Sequence, residues 1–248
     1  MKKPSIQFLE SCILINKEIL VLGDFHIGYN KYLFYNRGFK NHFNEIMDEL
    51  DFIFKKLKKD KIILKKIIVL GDLKHEFGKI SNIEWEEILK ILDYLNKKID
   101  KSFQEDRIVL IKGNHDKVLK FISKKRDICL VDYYKIENIC FLHGDIMFKE
   151  CLNSVDVLVI GHYHPAITIS DKYKTEKYKC FLKGNWKNKL VYILPSFSPF
   201  SYGYDLNQIN NNSNFGFIEK KDLKRFEVII YNKKDDEIYN FGNLKKFV

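Results

Sequence analysis

A chain of 248 residues, 46% of them hydrophobic, can bury one substantial core, as one large α/β domain or a domain with a small appendage. No run approaches the roughly 18 uninterrupted apolar residues of a membrane span, and Glu10, Ser11, Asn16, Lys17 and Glu18 break up the opening apolar stretch, so no signal peptide is expected. The net charge of +10 favours polyanionic partners, but enrichment in Lys, Glu and Ile is also the composition of hyperthermophile surfaces, and charge alone decides nothing.

In chain order, the first predicted element is the apolar run ILVLGDFH (19–26). NHFNEIMDELDFIFKKLKK (41–59) follows, with Phe43, Ile46, Met47, Leu50, Ile53, Phe54 and Leu57 at helical spacing. A second apolar run, IIVLGDLKH (67–75), leads to a second helical pattern over 81–99, whose Ser81-x-x-Glu84 opening has the form of a capping box. Three more runs follow: IVLIKGNHD (108–116), ICFLHGD (139–145) and VLVIGHYH (157–164). Runs this short, β-branched and lacking alternation read as strands buried on both faces, with the two helices as crossovers between parallel neighbours. Beyond 165 the texture changes to strands and hairpins, the last turning at KKDD (233–236), with a polar loop over 206–216. The basic runs 55–66, 123–127 and 171–179 read either as solvated faces or as phosphate contacts. Cys12, Cys129, Cys140, Cys151 and Cys180 show no C-x-x-C spacing and read as reduced thiols of a cytoplasmic protein.

All five runs end in a cluster of Gly, Asp, His or Asn, at the carboxyl end of a strand, where open α/β sheets place their ligand sites. The clusters supply Asp24 and His26, Asp72, Asn114 with His115 and Asp116, His143, and His162 with His164. Five of the seven histidines are among them. Scattered core histidines would not fall repeatedly at one place in the strand pattern. An oxygen and imidazole set without thiolate suits Mn²⁺, Fe or Zn²⁺ in an open catalytic site. Neither G-x-x-x-x-G-K-[ST] nor G-x-G-x-x-G occurs, so nucleotide-driven chemistry is not supported.

The ordered signature DFH, GD, GNHD, HG and GHYH, over roughly residues 19–165, resembles that of the calcineurin-like metallophosphoesterases. GDFHIGY, GDLKHEFG and GHYHPA are most similar to the branch of the nuclease subunits SbcD and Mre11, to the phosphoesterases found beside DNA ligases, and to archaeal phosphoesterases of that branch. The resemblance implies an αββα sandwich of two mixed sheets flanked by helices. It implies one domain over 1–248 without a capping domain, in which 166–248 completes the second sheet. Asp24, His26 and His164 would hold one metal, Asn114, His143 and His162 the other, and Asp72 would bridge them. A hydroxide activated by the two metals would attack phosphorus. His115 would stabilise developing charge or protonate the leaving oxygen, with Asp116 orienting its ring. His75 matches a histidine of related nucleases and reads as a contact to substrate or to a metal-bound water. Asp145 and LPSFSP (194–199) are candidates to line the site, with Ser196 and Ser198 as turn residues. His42, Trp85 and Trp186 read as packing.

The function expected is a phosphodiesterase or nuclease with two divalent ions, Mn first and Fe, Zn or Ni as alternatives. It would act on DNA or RNA ends or on nucleotides, away from membranes, as a homodimer. The alternatives are a phosphomonoesterase or protein phosphatase, or a non-catalytic partner subunit of a helicase or ATPase.

Overall fold

The computed structural model describes residues 3–29, 42–78, 80–103, 106–116, 118–208 and 216–248. The chain opens with three antiparallel strands, β1 (Ile6–Leu9), β2 (Cys12–Ile15) and β3 (Ile19–Leu22). β4 (Lys66–Val69), β5 (Ile108–Ile111) and β6 (Cys129–Val131) then add in parallel, giving the sheet order β1-β2-β3-β4-β5-β6. The connections are α1 (His42–Lys59), α2 (Asn82–Lys98) and α3 (Leu119–Arg126). The Ser81 capping box of α2 is present, both reciprocal bonds with Glu84 included.

Side-chain alternation explains why these strands read as unbroken apolar runs. Leu20, Leu22, Ile67, Val69 and Leu110 pack on one side of the sheet against Ile46, Leu50, Ile88 and Leu92 of the helices. Ile19, Val21, Ile68, Val109 and Ile111 leave the opposite side and meet Phe141, Val157, Val159 and Tyr192 of a second sheet. That sheet runs β16-β15-β12-β13-β9-β8-β7, built from β7 (Tyr133–Ile136), β8 (Ile139–Leu142), β9 (Val157–Ile160), β12 (Phe181–Trp186), β13 (Lys189–Ile193), β15 (Glu227–Asn232) and β16 (Glu237–Asn243). The expected hairpin at 233–236 joins β15 to β16.

The fold is the expected four-layer sandwich, with a thin fourth layer. Over the outer face of the second sheet lie short 3-10 turns, the single-turn α4 (Lys220–Leu223), and a three-stranded sheet of β10 (Pro165–Ser170), β11 (Thr175–Lys179) and β14 (Tyr204–Asp205). Trp186 is in this core and Trp85 packs on the first one, as expected for both. Of the polar loop expected over 206–216, residues 209–215 lie outside the described residues.

The expectation of five reduced thiols is overturned. Cys140 on β8 and Cys151, in the 3-10 turn Lys149–Leu152, form a disulfide with a Cα separation of 5.6 Å, leaving Cys12, Cys129 and Cys180 free. The turn folds back onto the outer face of β8, a proximity that a spacing of 11 residues does not reveal. Many basic residues, for their part, are paired internally. Lys56 reaches Asp236, Lys65 reaches Glu18, Arg126 forks Asp93 at 2.6 and 2.8 Å, and Lys174 pairs with Glu176. The basic runs are to that extent structural faces.

Away from the strand ends, Glu10 sits beside Glu49 of α1, with Lys233 3.7 Å away. Burial, and then the Glu49 carboxylate, raise Glu10 from 4.5 to about 7 against the pull of Lys233. Folded Glu10 therefore keeps its proton between about pH 4.5 and 7, where the unfolded chain has lost it, and stability falls as pH rises through that window. Glu10→Gln is expected to match the unaltered protein at pH 4.5 and to exceed its unfolding free energy by ~2–3 kcal/mol at pH 8. Urea unfolding at both pH values checks this; an equal difference at the two would refute it.

Candidate metal centre

The five polar clusters follow β3, β4, β5, β8 and β9, and the face-to-face packing of the two sheets brings these strand ends to one rim. Asp24, His26, Asp72, His162 and His164 all have positive φ, between 40° and 65°. Such backbone is uncommon outside glycine and costs roughly 1–3 kcal/mol per residue, so it persists only where the surroundings impose it. Here the two loops brace each other: Asp24 N donates to Gly71 O at 3.0 Å and His26 N to Asp72 O at 2.9 Å. The glycines beside them are required by close approach. A Cβ on Gly113 would lie 2.1 Å from Asp72 Oδ1, and one on Gly161 2.6 Å from Asp24 Oδ2.

These turns gather the expected residues into two adjoining groups that could each hold a metal ion. One is Asp24, His26, Asp72 and His164; the other is Asp72, His143 and His162. In the first, Nε2 of His26 and Nε2 of His164 are 3.2 Å apart, with Asp24 Oδ1 3.2 Å from His164 Nε2. In the second, His143 Nε2 lies 3.1 Å from His162 Nδ1, 3.1 Å from Asn114 Oδ1 and 3.5 Å from Asp72 Oδ2. Asp72 is common to both groups. Imidazole nitrogens aimed at one another with two buried carboxylates alongside are a poor arrangement for protons alone, and they fit cations with nitrogen and oxygen ligands.

The electrostatics agree. Burial raises Asp24, yet His164 and His143 overcome it and hold its carboxyl below the usual range. Burial opposes charge on His143, but Asp72 and Asp24 lift it to about 10. Burial and the neighbouring His164 push His26 down to about 3, and burial with His143 lowers His162. The pocket thus favours positive charge between the two aspartates and keeps His26 and His162 neutral. His143 Nδ1 donates to Leu70 O at 2.7 Å, so Nε2 is the nitrogen that faces the cluster, where a bound cation would take the place of its proton.

His115 stands at the edge of both groups, its Nε2 3.7 Å from Asp72 Oδ2 and its backbone N–H donating to Asp72 Oδ1 at 3.1 Å. Its Nδ1 donates to the carbonyl of His75. Asp116 does not orient His115, contrary to the sequence expectation. Its carboxylate turns back to accept from Gly113 N at 3.1 Å and Leu73 N at 3.1 Å, bracing the loop. Burial, and next Asp72, raise it to about 7. His75 falls in a third group with His26 and His115.

Behind Asp24, the segment 194–199 acts as a brace. Ser196 Oγ donates to Asp24 O at 2.8 Å, Ser198 N donates to the same carbonyl at 3.2 Å, and Ser198 Oγ is hydrogen-bonded to His42 at 2.7 Å. Lys179 Nζ donates to Ser196 O at 2.9 Å and Ser198 O at 2.5 Å. Sequence reasoning missed Lys179, which looked like one of many surface lysines. It also missed Phe77, whose ring stacks on His115 with centroids 3.6 Å apart. The signal available for Phe77 was an aromatic two residues beyond His75 in a polar loop.

A model of the calcineurin-like phosphoesterase family matches residues 17–185. Among solved structures, the nuclease MPE of Pseudomonas putida is similar at TM-score 0.57 and 17% identity, covering 96% of this chain and all of that one (100%). Vacuolar protein sorting 29 of Cryptosporidium parvum matches at 14% identity and TM-score 0.36, covering 91% of this chain and 97% of that one. A conserved uncharacterised protein of Streptococcus pneumoniae matches at 15% identity and TM-score 0.33, with the same coverage, 91% and 97%. No curated protein matches the sequence. At such identities the likeness to the nuclease is one of fold. Among the described residues, no helix is long and apolar enough to cross a membrane.

Proposed function

The chain belongs to the calcineurin-like phosphoesterase family and is a metal-dependent hydrolase of phosphate esters; on that premise we propose that it is a manganese-dependent phosphodiesterase acting on nucleic-acid ends or nucleotides. The observation that carries the reading is the pair of adjoining ligand groups sharing Asp72. Asp24, His26 and His164 would hold one ion, Asn114, His143 and His162 the other, and the Asp72 carboxylate would face both. Two bound divalent cations supply charge neutralisation at the non-bridging phosphate oxygens and lower the pKa of water.

The protein's own part is to place and to protonate. A backbone carbonyl only accepts, so the ring proton of neutral His115 sits on Nδ1 and Nε2 is the nitrogen turned to the ligand groups. That nitrogen is at the edge of the ligand groups, where it can deliver a proton to a leaving alkoxide. A diester is favoured over a monoester because its single negative charge needs no further cationic clamp. Of the three described arginines, Arg107 donates to Asn96 O and Ile99 O, Arg126 holds Asp93, and Arg225 lines a separate pocket with Trp186 and Asp222, all away from the centre.

The test is hydrolysis of bis-p-nitrophenyl phosphate against p-nitrophenyl phosphate with Mn²⁺, followed by single-stranded DNA and RNA. Preference for the diester supports the reading. Turnover of the monoester alone would replace it with a phosphatase, and turnover of neither would leave a recruitment role as the one to pursue.

A further inference from the structure

Beside the metal centre the surface falls into a cleft of about 730 Å³ whose walls include Phe77, Asn114, Ile146 and Phe148. Asn114 belongs to both, so cleft and centre are continuous. Phe77 is 64% exposed and Ile146 57%, large apolar groups left in water at the mouth of a reaction site. The Phe77 ring does not float: it lies on the His115 imidazole, its plane inclined by 30°. A flat apolar surface is thereby held at a fixed place relative to the nitrogen assigned to the leaving oxygen.

Resting on the phosphodiesterase reading, we infer that this cleft seats the nucleobase adjoining the scissile phosphate, stacked on Phe77 and covered by Ile146. Stacking suits any base, since every base has a π-face. The charges in the cleft favour a base over a second phosphate. Lys112 is already paired with Asp132 at 2.8 Å, Asp145 offsets the exposed Lys120, and the Asp116 carboxyl is turned away to the amides of Gly113 and Leu73, so the lining offers no excess positive charge to a second phosphate. Carboxylates repel a phosphodiester, whereas the exocyclic N–H groups of a base edge can donate to them. Phe77 is thus a specificity-determining residue, selecting esters that carry a base over those that carry only a sugar.

Titration calorimetry of the Mn²⁺-loaded protein with thymidine 5′-monophosphate and with 2-deoxyribose 5-phosphate tests this without relying on turnover. The nucleotide is expected to bind about tenfold more tightly, the contribution of one stacked base. Phe77→Ala is expected to remove that advantage while leaving the affinity for the sugar phosphate unchanged, and Phe77→Trp to keep it. Equal affinities of the two ligands for the unaltered protein would overturn the inference, and hydrolysis of bis-p-nitrophenyl phosphate would still uphold the phosphodiesterase reading. A nucleotide advantage that Phe77→Ala abolishes, in a protein that hydrolyses no ester, would keep the base site and reject the enzymatic role. Tighter binding of O-phosphotyrosine than of the nucleotide would overturn the inference in favour of a protein substrate.

Discussion

Asp72→Asn is expected to slow hydrolysis of bis-p-nitrophenyl phosphate by about a thousandfold or more, the loss of roughly 4 kcal/mol of transition-state stabilisation. Asp72 alone belongs to both ligand groups, and only a carboxylate offers a negatively charged oxygen to each of two cations. An asparagine presents one neutral oxygen and turns an NH₂ group toward the second ion. The substitution is nearly isosteric, and the amide oxygen can still accept from His115 N, now 3.1 Å from Asp72 Oδ1, so the fold should persist. Metal analysis should show a fall from two ions per chain to one or none, with the circular dichroism spectrum unchanged. A variant that kept two ions and more than a tenth of the activity would show that Asp72 does not join the two sites.

His115→Ala is expected to lower kcat by ~10²–10⁴-fold, the usual contribution of a positioned acid, while two ions remain bound. The contrast with Asp72→Asn separates protonation from metal holding. His115 is also in a group with His26 and His75, so a loss of one ion in this variant would mean that it serves as a ligand. The leaving group offers a second discriminator. An ester with a good leaving group, such as p-nitrophenolate, depends less on the acid than one with an alkoxide. The variant should therefore lose more activity on a dinucleotide than on bis-p-nitrophenyl phosphate. Equal losses on both would remove the acid role from His115.

The strands and the donor set were legible because both are written in local patterns. Val157 to Ile160 are buried on both faces and therefore uniformly apolar, and the Gly161 that follows marks the point where the backbone must approach Asp24. What was not legible depends on side-chain direction or on distant pairing. Asp116 neighbours His115 in sequence, and adjacency suggested a partnership, but its carboxylate points back to the amides of Gly113 and Leu73. Ser196 and Lys179 support Asp24 across more than 150 residues of chain, as the 172-residue separation of Ser196 and Asp24 illustrates, and no local pattern encodes that. The pairing of Cys140 with Cys151 depends on how one 3-10 turn folds back on β8, which residue spacing does not specify.

The ligand groups draw on both halves of the sandwich. Asp24, His26, Asp72 and Asn114 follow strands of the first sheet, while His143, His162 and His164 follow strands of the second. A pair of bound ions would consequently rivet one sheet to the other at the open rim of their shared core. Neither sheet alone supplies the full ligand set, so the centre exists only where the two sheets are packed together, and its occupancy registers that packing. Chelation should then loosen the rim without unfolding either sheet, and hydrogen exchange should rise first at His162 to His164 and at Asp24 to His26, ahead of the strands themselves. Uniform acceleration throughout both sheets would show that the ions contribute to global stability alone.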